Sequence, residues 1–280
     1  VKRLVVLGIV GSPRRDGLTG QIVGRALEGV EEAGVEAETL QLSDCRITPC
    51  RDCYPRLACW DEKRCVDEDD FPAVSAKMDA AQGIVLGSPV YYGDVTCATR
   101  NLLWKKARHP GRPLEGVPGL GIAVAGGSGN GMVSALRPIY HFFRILQLRG
   151  MDPIPVTRFN FRPACEEAFQ AGRRMAELVE RGERPVGARR LAAFADLPYL
   201  RFDYVEERLL LARLLVEGIT REREATAAAG RAREAWKQAE GLVARGEREA
   251  AIPLINEAYR AGISVWEGPR GERPGRARVR

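Results

Sequence analysis

Histidine is almost missing from this chain: His109 and His141 are the only two in 280 residues. Neither lies in a recognisable motif, so a Ser-His-Asp triad or a histidine-based zinc hydrolase cannot be assembled. Long apolar runs are absent too, none reaching the roughly 18–20 residues that a bilayer crossing needs. The short apolar N-terminal run ends in Gly11-Ser12-Pro13-Arg14-Arg15 with no small-residue cleavage site. It therefore reads as the buried first strand of a cytoplasmic protein rather than as a signal peptide. Lysine is scarce, six residues against 37 arginines, and 37 acidic residues offset them to a net charge of +6. Both signs are mixed along the chain except after Trp266, where five arginines sit among glycines and prolines. Neither nucleic-acid nor membrane binding is expected from that pattern.

What the chain does have is cysteine in one place. Five of seven fall between Cys45 and Cys65, while Cys97 and Cys165 stand apart and read as small buried residues. An odd total without a secretion signal argues against a disulfide framework and for metal or redox chemistry.

Residues 2–10 form a continuous apolar strand, and 35–42 alternate as a second. Helical spacing covers 18–34 and 71–82, and 83–89 is a third strand. Further helices are predicted near 96–108 and 131–149, with strands near 119–125 and 153–157 and a closing helix over 165–182. Five strands alternating with helices predict a doubly wound parallel α/β sheet over residues 1–185. A Rossmann dinucleotide fold shares that alternation. From 186 to 266 the composition is helical, two or three helices with Asp203 as an N-cap and with Gly246 and Pro253 as breaks or first-turn positions. The remainder, 267–280, has the composition of a disordered tail.

The first strand runs into Gly11-Ser12-Pro13-Arg14-Arg15-Asp16-Gly17-Leu18-Thr19, and a helix begins at once. Such a turn aims backbone N–H groups at an anion near the positive helix end. Ser12 and Thr19 can add hydroxyls, and Arg14 a charge-assisted bond. The loop is neither GxGxxG nor GxxxxGK[ST], so it suits a monophosphate such as that of FMN. Strand 3 ends in Gly87-Ser88-Pro89-Val90-Tyr91-Tyr92-Gly93, with backbone donors and two aromatics for a flat ring. Strand 4 ends in Ala125-Gly126-Gly127-Ser128-Gly129-Asn130-Gly131, whose glycines permit close backbone approach to such a ring. Each loop alone is also compatible with an ordinary turn. Between strand 2 and the next helix, Cys50, Cys53, Cys59 and Cys65 supply four thiols at spacings of two, five and five residues. That donor set suits a Cys₄ iron–sulfur cluster or a zinc site.

Together the GSPR turn with Thr19, the SPVY segment and the cysteine loop running into Val66-Asp67-Glu68-Asp69-Asp70-Phe71 resemble the NADPH-dependent FMN reductase and iron–sulfur flavoprotein family, over residues 2–180. The resemblance implies a flavodoxin-like sheet of order 2-1-3-4-5, in which the ends of strands 1, 3 and 4 border one crevice. It further implies FMN held by Ser12, Arg14, Asp16, Gly17, Leu18 and Thr19, by Pro89, Val90, Tyr91, Tyr92 and Gly93, and by Gly126, Gly127, Ser128 and Gly129. A 4Fe–4S cluster would sit on Cys50, Cys53, Cys59 and Cys65, and the protein would be a homodimer or homotetramer. Electrons would pass between the cluster, FMN and a small-molecule acceptor, with ferredoxin or NAD(P)H as redox partner. Asp16 and Leu18 depart from the family's amide or hydroxyl side chains. Three extra residues also separate the second and third cysteines, leaving Cys45 as a substitute for Cys59. Two other readings stay open: a clusterless NAD(P)H-dependent FMN or quinone reductase, and a non-enzymatic zinc-stabilised binding module.

Overall fold

A strand that is apolar on both faces has to be covered on both faces, and Val5–Val10 (β1) is such a strand. Val6 and Val10 enter one core with Ile22, Val23 and Ala26 of helix α1 (Leu18–Glu32). Leu7 and Ile9 enter a second core on the opposite face of the sheet. The computed structural model describes residues 4–53, 59, 65–108, 114–219 and 226–267. The spacer at 54–57, His109 with Pro110 and the tail from 268 to 280 lie outside those residues.

The remaining elements alternate in chain order: β2 (Glu36–Gln41), α2 (Phe71–Ala80), β3 (Gly83–Pro89), α3 (Cys97–Arg108), β4 (Pro118–Ala125), α4 (Met132–Ile145), β5 (Arg149–Gly150), β6 (Ile154–Thr157) and α5 (Phe161–Arg181). The sheet order is β2-β1-β3-β4-β5, with β6 also paired to β4, so the flavodoxin-like order holds. The pairings that connect β1 through β4 are parallel. The fifth strand is interrupted, because β5 and β6 are separate segments with Pro153, which has no N–H to give a ladder, between them. Phe71, Val74, Leu102, Leu136 and Phe143 from α2, α3 and α4 cover one face. Helices α1 and α5 cover the other and cross at two glycines. A Cβ on Gly172 would stand 1.9 Å from the Ala26 carbonyl oxygen, and one on Gly29 would stand 2.1 Å from that of Phe169.

The chain divides into two compact units, residues up to Val156 with Phe161–Leu200, and Thr157–Asn160 with the residues from Arg201 on. Helix α6 (Gly187–Ala195) belongs to the first unit and lays Phe194 against its core. The second unit holds α7 (Tyr204–Glu217), α8 (Ala227–Ala244) and α9 (Arg248–Glu267). The described residues after 186 thus form four helices rather than two or three, and Pro253 is the sixth residue of α9, neither at a break nor in the first turn. Gly246 adopts φ +81° between α8 and α9, where an L side chain would be strained. The second unit's core is built mostly from alanine, Ala212, Ala235, Ala239, Ala251 and Ala258 around Ile255, which lets its helices approach closely.

Asp203 caps α7 by accepting from the backbone N–H of Val205 and Glu206, while the Glu206 carboxylate accepts from the Asp203 N–H. Arg248 at the start of α9 pairs with both Asp203 and Glu206. Asp203→Ala therefore removes a capping box and an ion pair. We expect it to cost about 1 kcal/mol, read as a lower thermal midpoint of the second unit's helical signal.

Candidate functional site

Strand register brings the carboxyl ends of β1, β2, β3 and β4 to one edge, pairing Val10 with Gln41 and Gly87, and Pro89 with Val124. The three loops singled out in the sequence leave from that edge and meet there. The first and second are joined by buried hydroxyls. The Thr96 Oγ1 donates to the Gly11 carbonyl at 2.8 Å and lies 2.9 Å from Thr99 Oγ1, while the Thr96 N–H donates to Ser88 Oγ at 3.1 Å. Only glycine fits at position 11, since a Cβ would lie 2.0 Å from Thr99 Oγ1. The second and third loops touch where a Cβ on Gly131 would fall 2.6 Å from Gly93 Cα. First and third meet through Leu18, whose Cδ1 is 3.5 Å from a Cβ built on Gly126.

Within the first loop, Ser12 is buried and its Oγ accepts from the Arg14 N–H at 3.1 Å. Gln41 fixes the loop from β2 by donating to the Ser12 carbonyl. The N-cap of α1 is Gly17, which has no side chain to occupy the first N–H groups of the helix. An N-terminus of this kind fits an anion. Asp16 does not cap α1; it is exposed, and its carbonyl accepts from Gln21 Nε2 at 3.0 Å. Arg15 pairs with Asp44 at 2.5 Å, while the exposed Arg14 has no ion pair among the described residues. Thr19 is buried in the first turn of α1. Leu18, which has no polar side-chain atom, packs with the α1 core.

The second loop is a tight hairpin closed by Tyr91 and Asp94, which exchange backbone hydrogen bonds at 2.8 and 3.0 Å. Its tip is Tyr92 with φ +52° and Gly93 with φ +77°. An aromatic residue is strained in that region, and such strain collects at ligand sites. Tyr92 is fully exposed and Tyr91 half exposed, so neither is a core aromatic. Pro89 and Val90 lead into the turn, the Val90 N–H donating to the Val124 carbonyl at 2.9 Å. In the third loop Gly126, Gly127 and Ser128 are exposed, and Gly127 has nothing within 4 Å of an added Cβ. Gly129 turns the chain at φ +85°.

Cys50, Cys53, Cys59 and Cys65 line one cavity, with Arg51, Asp67, Phe71, Lys105 and Arg108 also in its wall. Cys45 is elsewhere, packed against the sheet core and donating to the Gln41 carbonyl. Burial pushes the Cys59 thiol up, and the nearness of Cys50, Cys53 and Cys65 pushes it the same way. Burial likewise raises Cys65, against which the Lys105 charge acts to lower it. Among the described residues, no three Cys, His, Asp or Glu side chains converge as ligands of a single ion. The four thiols line one cavity without converging on a single point. Cys97 is exposed on α3 rather than buried, and Cys165 is half-buried.

Sequence reasoning passed over the residues that hold this loop. Lys105 Nζ donates to Asp69 Oδ2 at 2.5 Å, to Asp67 Oδ2 at 2.9 Å and to Thr48 Oγ1 at 2.9 Å. Thr48 gives both its N–H and its hydroxyl to Asp69. Burial acts to raise the Asp69 carboxyl, but bonds from Lys105, Thr48 and Phe71 outweigh it and hold it at about 2. Asn101, one turn before Lys105, donates to the Ile47 carbonyl at 2.9 Å. The available signal was the scarcity of lysine itself. With six in the chain, the adjacent pair Lys105-Lys106 directly after Leu102, Leu103 and Trp104 stands out, and both lysines are buried.

Residues 4–154 match the model of the NADPH-dependent FMN reductase family. The chain is 31% identical over 190 residues to an iron–sulfur flavoprotein of Methanocaldococcus jannaschii, covering 62% of this chain and 97% of that protein. It is 32% identical over 142 residues to an iron–sulfur flavoprotein of Methanosarcina thermophila, covering 50% of this chain and 73% of that protein. Among solved structures, a flavone reductase shares the fold with a TM-score of 0.51 at 18% identity, covering 66% of each chain.

Proposed function

Since this chain belongs to the NADPH-dependent FMN reductase family and is a flavin-dependent oxidoreductase, we propose that it is an iron–sulfur flavoprotein. In this reading FMN lies in the three-loop crevice and a 4Fe–4S cluster on Cys50, Cys53, Cys59 and Cys65. The observation that carries the cluster is the single cavity lined by those four cysteines and not by Cys45. Family membership sets aside the non-enzymatic zinc module.

When bound, FMN exchanges one or two electrons and the cluster one, so the pair couples single-electron donors to two-electron acceptors. The chain supplies position and charge. The uncapped start of α1, with Arg14, Ser12 and Thr19, takes the phosphate; Asp16 stays turned to solvent, Gly17 leaves the helix end bare of a side chain, and Leu18 contributes its backbone N–H. Pro89–Gly93 and Gly126–Gly129 receive the ring, with Tyr91 or Tyr92 over its face. NAD(P)H or ferredoxin is the donor in this scheme, a small molecule the acceptor, and a homodimer or homotetramer the working form. No helix among the described residues is long and apolar enough to cross a membrane.

Flavin retention tests the first half. Arg14→Ala with Thr19→Ala removes two contacts of about 1–3 kcal/mol each, so the double variant should lose at least about tenfold in FMN affinity by fluorescence titration. Unchanged affinity would place the phosphate elsewhere. For the ligand assignment, Cys59→Ser should lose iron while Cys45→Ser keeps it; the reverse pattern would exchange the two residues.

A further inference from the structure

We infer that Lys105 sets the reduction potential of the cluster, holding it higher than the cysteine loop alone would. The inference rests on the cluster reading above. Three cations stand in the cavity wall, Arg51, Lys105 and Arg108. The side chains of Arg51 and Arg108 are 65% and 48% exposed and are paired with Asp67 and Asp52, so water and salt screen them. Lys105 is 1% exposed, and its charge acts across protein rather than solvent.

Four thiolates carry more negative charge than a 4Fe–4S core neutralises, and each reduction adds one electron to that anion. A buried ammonium favours the more negative state, which raises the potential. Asp67 acts the other way, because its Oδ2 lies 3.8 Å from Cys65 Sγ and brings a carboxylate to a ligand sulfur. Lys105 holds that same oxygen at 2.9 Å. The ammonium is thus set between a ligand-side carboxylate and the fully buried Asp69. A lysine with only a packing role needs neither the second carboxylate nor a place in the cavity wall.

The test is the cluster's reduction potential by anaerobic dye-mediated visible titration, with iron and flavin measured on each sample. Lys105→Gln keeps a hydrogen-bond donor and loses the charge, and its potential should fall. Asp67→Asn keeps Lys105 paired with Asp69 and removes the carboxylate beside Cys65, so its potential should rise. Arg108→Gln should shift the potential far less, and less still at high salt. Iron-loaded Lys105→Gln and Asp67→Asn with the wild-type potential would overturn this inference alone. Wild-type protein without iron would overturn it together with the cluster reading. Should Lys105→Gln fail to retain iron, the direction of the Asp67→Asn shift decides the matter.

Discussion

Lys105→Met should be among the most damaging single substitutions in the first unit. It leaves the carboxylates of Asp69 and Asp67, whose side chains are 0% and 11% exposed, without their common cation. Removing one partner of a buried ion pair costs about 3–5 kcal/mol, which corresponds to a fall of roughly 10 °C in thermal midpoint for a unit of this size. Methionine keeps most of the length and apolar bulk of the lysine stem, so little of the loss comes from packing, while the approach of Nζ to the Phe71 ring, 5.8 Å from its centroid, goes with the charge. The pH dependence has a definite sign. Asp69 is lowered from 3.8 to about 2, so its contribution is present above 3.8 and is lost as pH falls through about 2. Lys105 is raised above 10.5 by its bonds to Asp69 and Asp67, which outweigh burial; its contribution is present below 10.5 and is lost as pH rises beyond that. The gap between wild type and variant should therefore be flat across neutral pH and narrow toward both extremes. Equal midpoints at pH 7 by calorimetry would mean that the loop is held by something other than this triad.

Gly172→Val attacks the other face of the sheet. Helices α1 and α5 approach so closely that a Cβ at 172 lies 1.9 Å from the Ala26 carbonyl oxygen and 2.8 Å from its carbon. Both are backbone atoms of a helix packed on β1 and β3, so neither can move alone. Overpacking of a core costs about 1–3 kcal/mol when side chains can adjust, and here they cannot, so the loss should exceed about 3 kcal/mol and separate the helices. Because the proposed phosphate site is the start of α1, FMN affinity should fall with stability. Gly24→Ala is the control, since nothing lies within 4 Å of its added Cβ. Soluble Gly172→Val with the wild-type denaturation midpoint would contradict the crossing.

The fold was legible because β1, β3 and β4 are short apolar runs with glycine-containing exits, and both features are local. Sheet order came with the family resemblance that the three loops carry, and the structure has it. The fifth strand was the part least visible, since two- and four-residue segments around Pro153 leave almost no period to read. Pro253 misled for a related reason: proline is costly in a helix, but the alanine core beneath α9 outweighs a missing hydrogen bond near its start. In the candidate site the sequence displayed donors and glycines. It concealed the scaffold, because the contacts that fix the site are far apart along the chain. Thr96 reaches Gly11 across 85 positions, and Lys105 reaches Thr48 across 57. Threonine carries no motif of its own and the adjacent Lys105-Lys106 pair is the one local hint, so it is mainly their burial that identifies these residues.

Iron, acid-labile sulfide and flavin measured on one anaerobically purified sample bear most directly on the central claim. The account predicts FMN with roughly four irons and four sulfides per chain, and loss of the iron but not the FMN in Cys50→Ser. A chain that carries FMN with no iron, under conditions that keep such clusters intact, would contradict it and leave a plain flavin reductase.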